Sequence, residues 1–207
     1  MKKTVIKTIL TAATVSMLVL PYSGGAEVFA AQTKPAATPA AKATAAPIMR
    51  DNLAKYGLVK KVELPVTIEK EGLSYTLEKI MIYESSSATA QSLIKKYGYY
   101  GDKKYFIWTK ITIQNNSKSV IQVTSKDLNE KWQMHFGGDK RAVTDMPRKL
   151  SSKLNSTEAI WDWKLNPDQK ISTYQAFLYD DVFSEFNIFL KSKSGWEGIE
   201  VAVGKGK

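Results

Sequence analysis

The stretch from Lys104 to Thr124, KYFIWTKITIQNNSKSVIQVT, constrains the fold of this chain more than any other. Tyr105, Ile107, Thr109, Ile111 and Ile113 alternate with Phe106, Trp108, Lys110, Thr112 and Gln114, a period of two rich in β-branched and aromatic side chains. That pattern predicts a half-buried strand, with the Ile row on one face and Phe106 and Trp108 on the other. Asn115-Asn116-Ser117-Lys118 follows. These residue types tolerate left-handed backbone and bond to their own main chain, so the chain reverses there before Val120, Ile121 and Val123. The rest of the chain reads as material for a sandwich built on this hairpin.

Strands Val62 to Glu69 and Leu73 to Tyr83 are expected on either side of a turn at Lys70-Glu71-Gly72, with Gly72 at positive φ. The apolar set changes phase between Leu77 and Ile80, which predicts a bulge near Glu78 and Lys79. Ala90, Leu93, Ile94 and Tyr97 share one helical face, so a helix is expected over 88–97, entered at Ser85-Ser86-Ser87 and stopped at Gly98. A short helix is also expected from Ile48 to Leu58, ending near Gly57. Ser125 to Leu128 reads as a turn, Lys131 to Phe136 as a strand and Gly137-Gly138-Asp139 as its reversal. Another strand is expected from Thr157, placing Trp161 and Trp163 on one buried face. A type I-like turn at Asn166-Pro167-Asp168-Gln169 leads into Ile171 to Tyr179. Phe186 to Leu190 and Ile199 to Val203, divided by Ser194-Gly195, complete the set. Eight or nine strands with one or two short helices predict a mainly β fold, an antiparallel sandwich, over residues 48–207. Its expected core includes Ile107, Ile111, Ile113, Val123, Trp161, Trp163 and Phe177.

Residues 1–30 have the three parts of a secretory signal: basic Lys2, Lys3 and Lys7, an apolar run from Thr8 to Leu20, and a small-residue exit at Val28-Phe29-Ala30. The apolar run is about 13 residues, short of the roughly 20 that a spanning helix needs, so the membrane is met only through the cleaved leader. Gln32 to Pro47 is Ala, Pro, Thr and Lys with almost nothing to bury. Residues 31–47 are therefore expected to be a disordered linker, dispensable for folding. The chain has no cysteine, which excludes disulfides, thiolate metal sites and a thiol-linked lipid anchor.

WTKITIQNNSKSVIQVTSKDLN and, later, LNPDQKISTYQAFLY resemble a family of immunoglobulin-like extracellular domains of unknown function, found in secreted and lipid-anchored proteins of Gram-positive bacteria. The match falls on Ile111, Ile113, Asn115, Asn116, Val120, Val123, Leu165, Pro167 and Phe177. Asp168 stands where the family usually has Gly after the proline. The resemblance implies an immunoglobulin-like sandwich at the cell envelope and implies no activity.

His135 is the single histidine, so neither a Cys-His pair nor a histidine-rich zinc site can be assembled, and it reads as structural. Ser85 to Ser87 lack the setting of a catalytic nucleophile. Asp180, Asp181 and Glu185 form the best acidic cluster and the one candidate for Ca²⁺, without the usual loop pattern. No motif calls for a cofactor. Tyr97, Tyr99 and Tyr100, flanked by Gly98 and Gly101, suit a contact loop. Lys140, Arg141, Arg148, Lys149 and Lys153 make a basic segment around Pro147, expected as an exposed end loop.

The formal charge is +10, and +8 once Lys2, Lys3, Lys7 and Glu27 leave with the signal. A secreted, non-catalytic module that contacts anionic wall polymers or an envelope protein is the reading these features favour. The alternative is an extracellular enzyme such as a wall or polysaccharide hydrolase, which would need a catalytic constellation the sequence does not single out. Export and the lack of a recognition motif argue against nucleic acid.

Overall fold

The computed structural model describes residues 51–124 and 130–205. The expected leader, the linker at 31–47, the start of the first helix and the turn at Ser125 to Leu128 lie outside the described residues. A 3-10 turn at Leu53–Tyr56 leads into β1 (Leu58–Lys60), β2 (Val66–Lys70) and β3 (Leu73–Glu84). Helix α1 (Ala88–Tyr97), β4 (Tyr105–Asn115), β5 (Ile121–Val123), β6 (Trp132–Gly137), β7 (Lys140–Arg141) and β8 (Val143–Asp145) come next. The chain then adds β9 (Trp163–Leu165), β10 (Lys170–Tyr179), β11 (Glu185–Ser192) and β12 (Gly195–Gly204).

All pairings are antiparallel, and two five-stranded sheets result, ordered β1-β12-β11-β6-β7 and β2-β3-β4-β10-β8, with β5 and β9 pairing separately. Their inner faces form one core. Tyr75, Leu77, Ile80, Ile82, Ile107, Ile111, Ile113 and Phe177 of the second sheet meet Trp132, Met134, Phe136, Phe186, Ile188 and Leu190 of the first. One hydrogen bond crosses this core, from Trp132 Nε1 to Gln175 Oε1 at 2.7 Å. It satisfies two polar groups that would otherwise be stranded in an apolar layer. The architecture is a mainly antiparallel, two-sheet sandwich.

β4 corrects the half-buried expectation. Its Ile row faces the sandwich core, but Phe106 and Trp108 on the opposite face are buried as well. They lie in a second cluster with Ala90, Tyr97, Tyr99, Ala159, Ala176 and Leu178. Trp108 is stacked between Tyr97 and Tyr174, at 5.6 and 5.2 Å between ring centres. Helix α1 supplies the cover: Ser87 Oγ accepts from Ala90 N at its start, and Gly98 ends it in a left-handed conformation. Lys110, Thr112 and Gln114, farther along the same face, are only half-buried, so the polar half of the alternation falls where this cover ends.

The phase change in β3 is a bulge: the register with β4 shifts between Leu77 and Lys79. A single strand can thereby keep Tyr75 and Leu77, then Ile80 and Ile82, in the same core. The strand expected from Thr157 is confined to Trp163–Leu165. Ala159 and Ile160 are buried in different places, the second cluster and the core respectively, and the chain is irregular from Ser156 to Asp162. Trp163 accordingly enters the core, whereas Trp161 is half-buried outside it. Val123 is likewise only half-buried and packs against the core from its edge. The turn at Asn166 to Gln169 is closed by Gln169 N donating to Asn166 O, and Asp168 has φ 63°. That left-handed value departs from a type I turn and suits the Gly that the resembled family carries there. No helix among the described residues is long and apolar enough to cross a membrane.

Candidate anion-binding site

The expected basic segment is exposed at all five cations, and Arg148, Lys149 and Lys153 lie in turns, but it is not one continuous loop. Lys140 and Arg141 form the edge strand β7; the chain then passes through buried Ala142 to β8 on the other sheet, where Asp145 is 2% exposed. Each cation has an internal partner. Lys140 pairs with Asp181, Arg141 with Glu130 at 3.1 Å and Lys153 with Glu158 at 3.6 Å. Arg148 Nε donates to Gly98 O at 2.6 Å, and Lys149 Nζ donates to Lys95 O at 2.7 Å. These last two hold carbonyls at the end of α1, where positive charge is favoured by the helix dipole.

The tyrosines divide. Tyr97 and Tyr99 are buried in the second cluster, and only Tyr100, 55% exposed with Arg148 over its ring, faces solvent. The contact-loop expectation is corrected for the first two, because the outer face of β4 is aromatic and takes them as its cover. Asp145 accepts from Tyr100 N and Gly101 N at 3.0 and 3.1 Å and so fixes this loop to β8. Its burial pushes its carboxyl up from the ordinary value, against the lowering effect of those N–H groups.

Asp180, Asp181 and Glu185 do not converge. Asp180 accepts from Lys104 N at 2.6 Å and pairs with Lys103; Asp181 faces Lys140; Glu185 accepts from Gly138 N at 2.8 Å. Among the described residues no three metal-ligating side chains come together. His135, half-buried on β6, packs edge-on against Phe189.

Three turns that are remote in sequence do converge, at one end of the sandwich, around a cleft of about 760 Å³. Lys70 and Glu71 come from the β2–β3 turn, Ser117 and Ser119 from the β4–β5 connection, and Lys191, Ser192 and Lys193 from the β11–β12 hairpin, with Lys131 entering β6. Asn115 positions the second of these. It is 0% exposed; its Nδ2 donates to Ser119 O at 2.8 Å and Leu165 O at 2.9 Å, while its Oδ1 accepts from Ser117 N and Oγ. Gly72 lets the first turn approach the second. With φ 78°, its position is one where an added Cβ would lie 2.8 Å from Ser117 Cβ and 2.9 Å from Ser117 N. Glu71 then ties the sheets together by accepting from Lys193 N at 3.0 Å and Ser194 N at 3.1 Å.

The electrostatics of the cleft are one-sided. Four lysines and one carboxylate line it, and the N–H groups of Lys193 and Ser194 hold the Glu71 carboxyl below its usual range. Lys70 pairs with Glu197 at 3.3 Å. Lys131 and Lys193 form no side-chain ion pair among the described residues, although Glu71 lines the same cleft. Ser119 adds a hydroxyl, whereas those of Ser117 and Ser192 are engaged within their own turns, by Asn115 Oδ1 and Gly195 O. Positive charge and neutral donors around an open cleft suit the oxygens of a phosphate or carboxylate polymer. Sequence reading missed the site because its lysines flank separate turns. The Lys-Ser-Lys-Ser-Gly run at 191–195 and the Ser-Lys-Ser run at 117–119 were the available signals.

No protein-family model matches the chain, and no curated protein is significantly similar to it. Among solved structures, the yjhA protein of Bacillus subtilis aligns over 66% of this chain and 96% of its own, at 9% identity and a TM-score of 0.41. The ycdA protein of Bacillus subtilis subsp. subtilis str. 168 aligns over 70% of this chain and 40% of its own, at 13% identity and a TM-score of 0.45. A functionally unknown protein of Listeria monocytogenes EGD-e aligns over 71% of this chain and 87% of its own, at 12% identity and a TM-score of 0.42. Likenesses of this size carry no inference about ligand or activity.

Proposed function

We propose that this protein is a secreted, non-catalytic binding module of the bacterial envelope, and that it holds an anionic wall polymer in the lysine-lined cleft. The cleft is the observation that carries the reading. It gathers Lys70, Lys131, Lys191 and Lys193 with Ser119 at one open end of the sandwich. The secretory pattern at residues 1–30, the formal charge of +10 and the resemblance to immunoglobulin-like envelope domains agree with it. Its lining offers no base set against a nucleophile: the one carboxylate, Glu71, is engaged by two main-chain N–H groups. Lys140, Arg141, Arg148, Lys149 and Lys153 have local partners and contribute secondarily, through long-range attraction.

Retention on isolated cell walls tests this. A lysine near an anionic surface is worth about 1 kcal/mol, so K70Q/K131Q/K193Q should lose roughly 100-fold in affinity. Raising the salt to about 1 M, where the screening length falls to roughly 3 Å, should reproduce that loss in the wild type. R141Q/R148Q/K149Q/K153Q should bind within a few fold of the wild type. Equal retention of the cleft variant and the wild type at low salt would overturn the proposal, and a selective loss in the second variant would move the contact to 140–153.

A further inference from the structure

An anion is already held at the cleft, and it belongs to the protein. The two carboxylate oxygens of Glu71 take one main-chain N–H each, Oε2 from Lys193 at 3.0 Å and Oε1 from Ser194 at 3.1 Å. Lys193 and Ser194 are the turn of the β11–β12 hairpin, between the paired Ser192 and Gly195, so their N–H groups stand outside the sheet ladder. Ser194 N is shared with Ser192 Oγ at 3.2 Å, and the Ser192 and Ser194 hydroxyls lie 3.0 Å apart beside it. Successive N–H groups converging on one anion make a main-chain seat for an oxyanion.

Glu71 fits this seat as an occupant that can leave. It begins the two-residue turn between the paired Lys70 and Leu73, where φ is 49° at Glu71 and 78° at Gly72. Asn, Asp or Gly is the usual first residue of such a turn. Glu stands there against that preference, and what it adds is a carboxylate long enough to reach the hairpin of the other sheet. The residue is exposed, as are Lys193 and Ser194, so the carboxylate returns to water without unpacking any core. Nor is it needed to neutralise Lys70, which pairs with Glu197 at 3.3 Å. The unesterified oxygens of a phosphodiester offer the same two-point fork and the same single charge as the carboxylate they would replace.

We infer that Lys193 N and Ser194 N are the seat of a phosphodiester group of the bound polymer, and that Glu71 is its built-in competitor. Glu71 holds the seat in the free protein and yields it on binding, so the affinity of the cleft is set by an exchange of anions across the two turns. The polymer in this inference rests on the function proposed above; the seat rests on the hairpin alone.

Two variants separate the seat from simple charge. E71A vacates it, whereas E197Q removes a carboxylate from beside Lys70 and leaves it filled. E71A should bind a glycerol phosphate oligomer about tenfold more tightly than the wild type, the worth of one charge-assisted hydrogen bond. E197Q should gain about threefold or less, because an exposed charge is screened. The amide resonances of Lys193 and Ser194 in E71A should move downfield with the oligomer, and with inorganic phosphate alone at millimolar concentration. In the wild type inorganic phosphate should leave them in place. E71Q, which keeps one acceptor oxygen and the length of the side chain, should fall between E71A and the wild type and carries the same test if E71A disturbs its turn. Equal gains in E71A and E197Q, or oligomer bound to E71A without a response at these two amides, overturn the inference and leave the cleft standing. Oligomer that binds neither wild type nor E71A, while inorganic phosphate still moves the two amides of E71A, refutes the polymer function and supports the seat.

Discussion

Replacing Asn115 should damage both fold and cleft, and its cost follows from the hydrogen bonds it makes. Its side chain is fully buried and bonds main-chain groups of three residues: Ser117 N at 3.0 Å, Ser119 O at 2.8 Å and Leu165 O at 2.9 Å. Its own main chain is committed too, through Gln169 O and Asp168 N at 2.9 and 2.7 Å. N115A removes all three side-chain bonds to main chain at about 1 kcal/mol each, so the loss should be roughly 3 kcal/mol. For a domain of this size that lowers Tm by about 6–12 °C. N115D keeps the volume and the acceptor for Ser117 N but turns a carboxylate toward two carbonyl oxygens, so at neutral pH it should cost at least as much. Urea unfolding followed by tryptophan fluorescence measures both. If N115A lies within about 1 kcal/mol of the wild type, or N115D matches the wild type at pH 7, then this amide does not hold the β4–β5 connection and the account of the cleft wall is wrong.

Three further outcomes are expected. G72A should destabilise more than G57A. Both glycines have φ near 77°, which costs an alanine about 1–2 kcal/mol, but only at Gly72 would a Cβ strike another turn; equal losses would contradict the close approach to Ser117. W108A should cost about 3–5 kcal/mol and raise amide exchange in α1, because Tyr97 and Tyr174 lose the ring stacked between them; unchanged protection of α1 would contradict the second core. The Asp180 carboxyl is held below the ordinary aspartate value of 3.8, first by Lys104 N–H and then by Lys103. Its contribution is therefore present above that value and lost as the pH falls through the folded-state pKa, so D180N should flatten the stability curve in that acid window and an unaltered slope would refute this.

How far the sequence foretold these features depends on the distance over which each is encoded. Alternation in 104–124, the phase slip between Leu77 and Ile80, and the Ser87 to Gly98 signals are local, and β4, the bulge and α1 follow them. Strands of two or three residues, such as β1, β7 and β8, are too short to show a period and exist through their partners. The same limit hid the fate of the tyrosines. Tyr97 and Tyr99 look like contact residues until Phe106 and Trp108 present an aromatic face to cover. Trp161 and Trp163 share a parity, yet the chain is irregular up to Asp162 and β9 begins only at Trp163, so parity does not carry Trp161 into the core. The cleft was least legible, since its charge is assembled by three turns whose proximity only the β2–β3, β4–β5 and β11–β12 connections create. The basic run at 140–153, dense in sequence, is dispersed by pairing with Asp181, Glu130, Glu158 and the carbonyls of α1.

Calorimetric titration with a defined glycerol phosphate oligomer tests the central claim most directly, because it presents the phosphate backbone without sugar or wall protein. The wild type should bind it at low salt, with an affinity that falls steeply as salt is raised, and K70Q/K131Q/K193Q should lose about 100-fold while keeping its stability. Binding that is indifferent to salt and unchanged in the triple variant would contradict the assignment of the cleft.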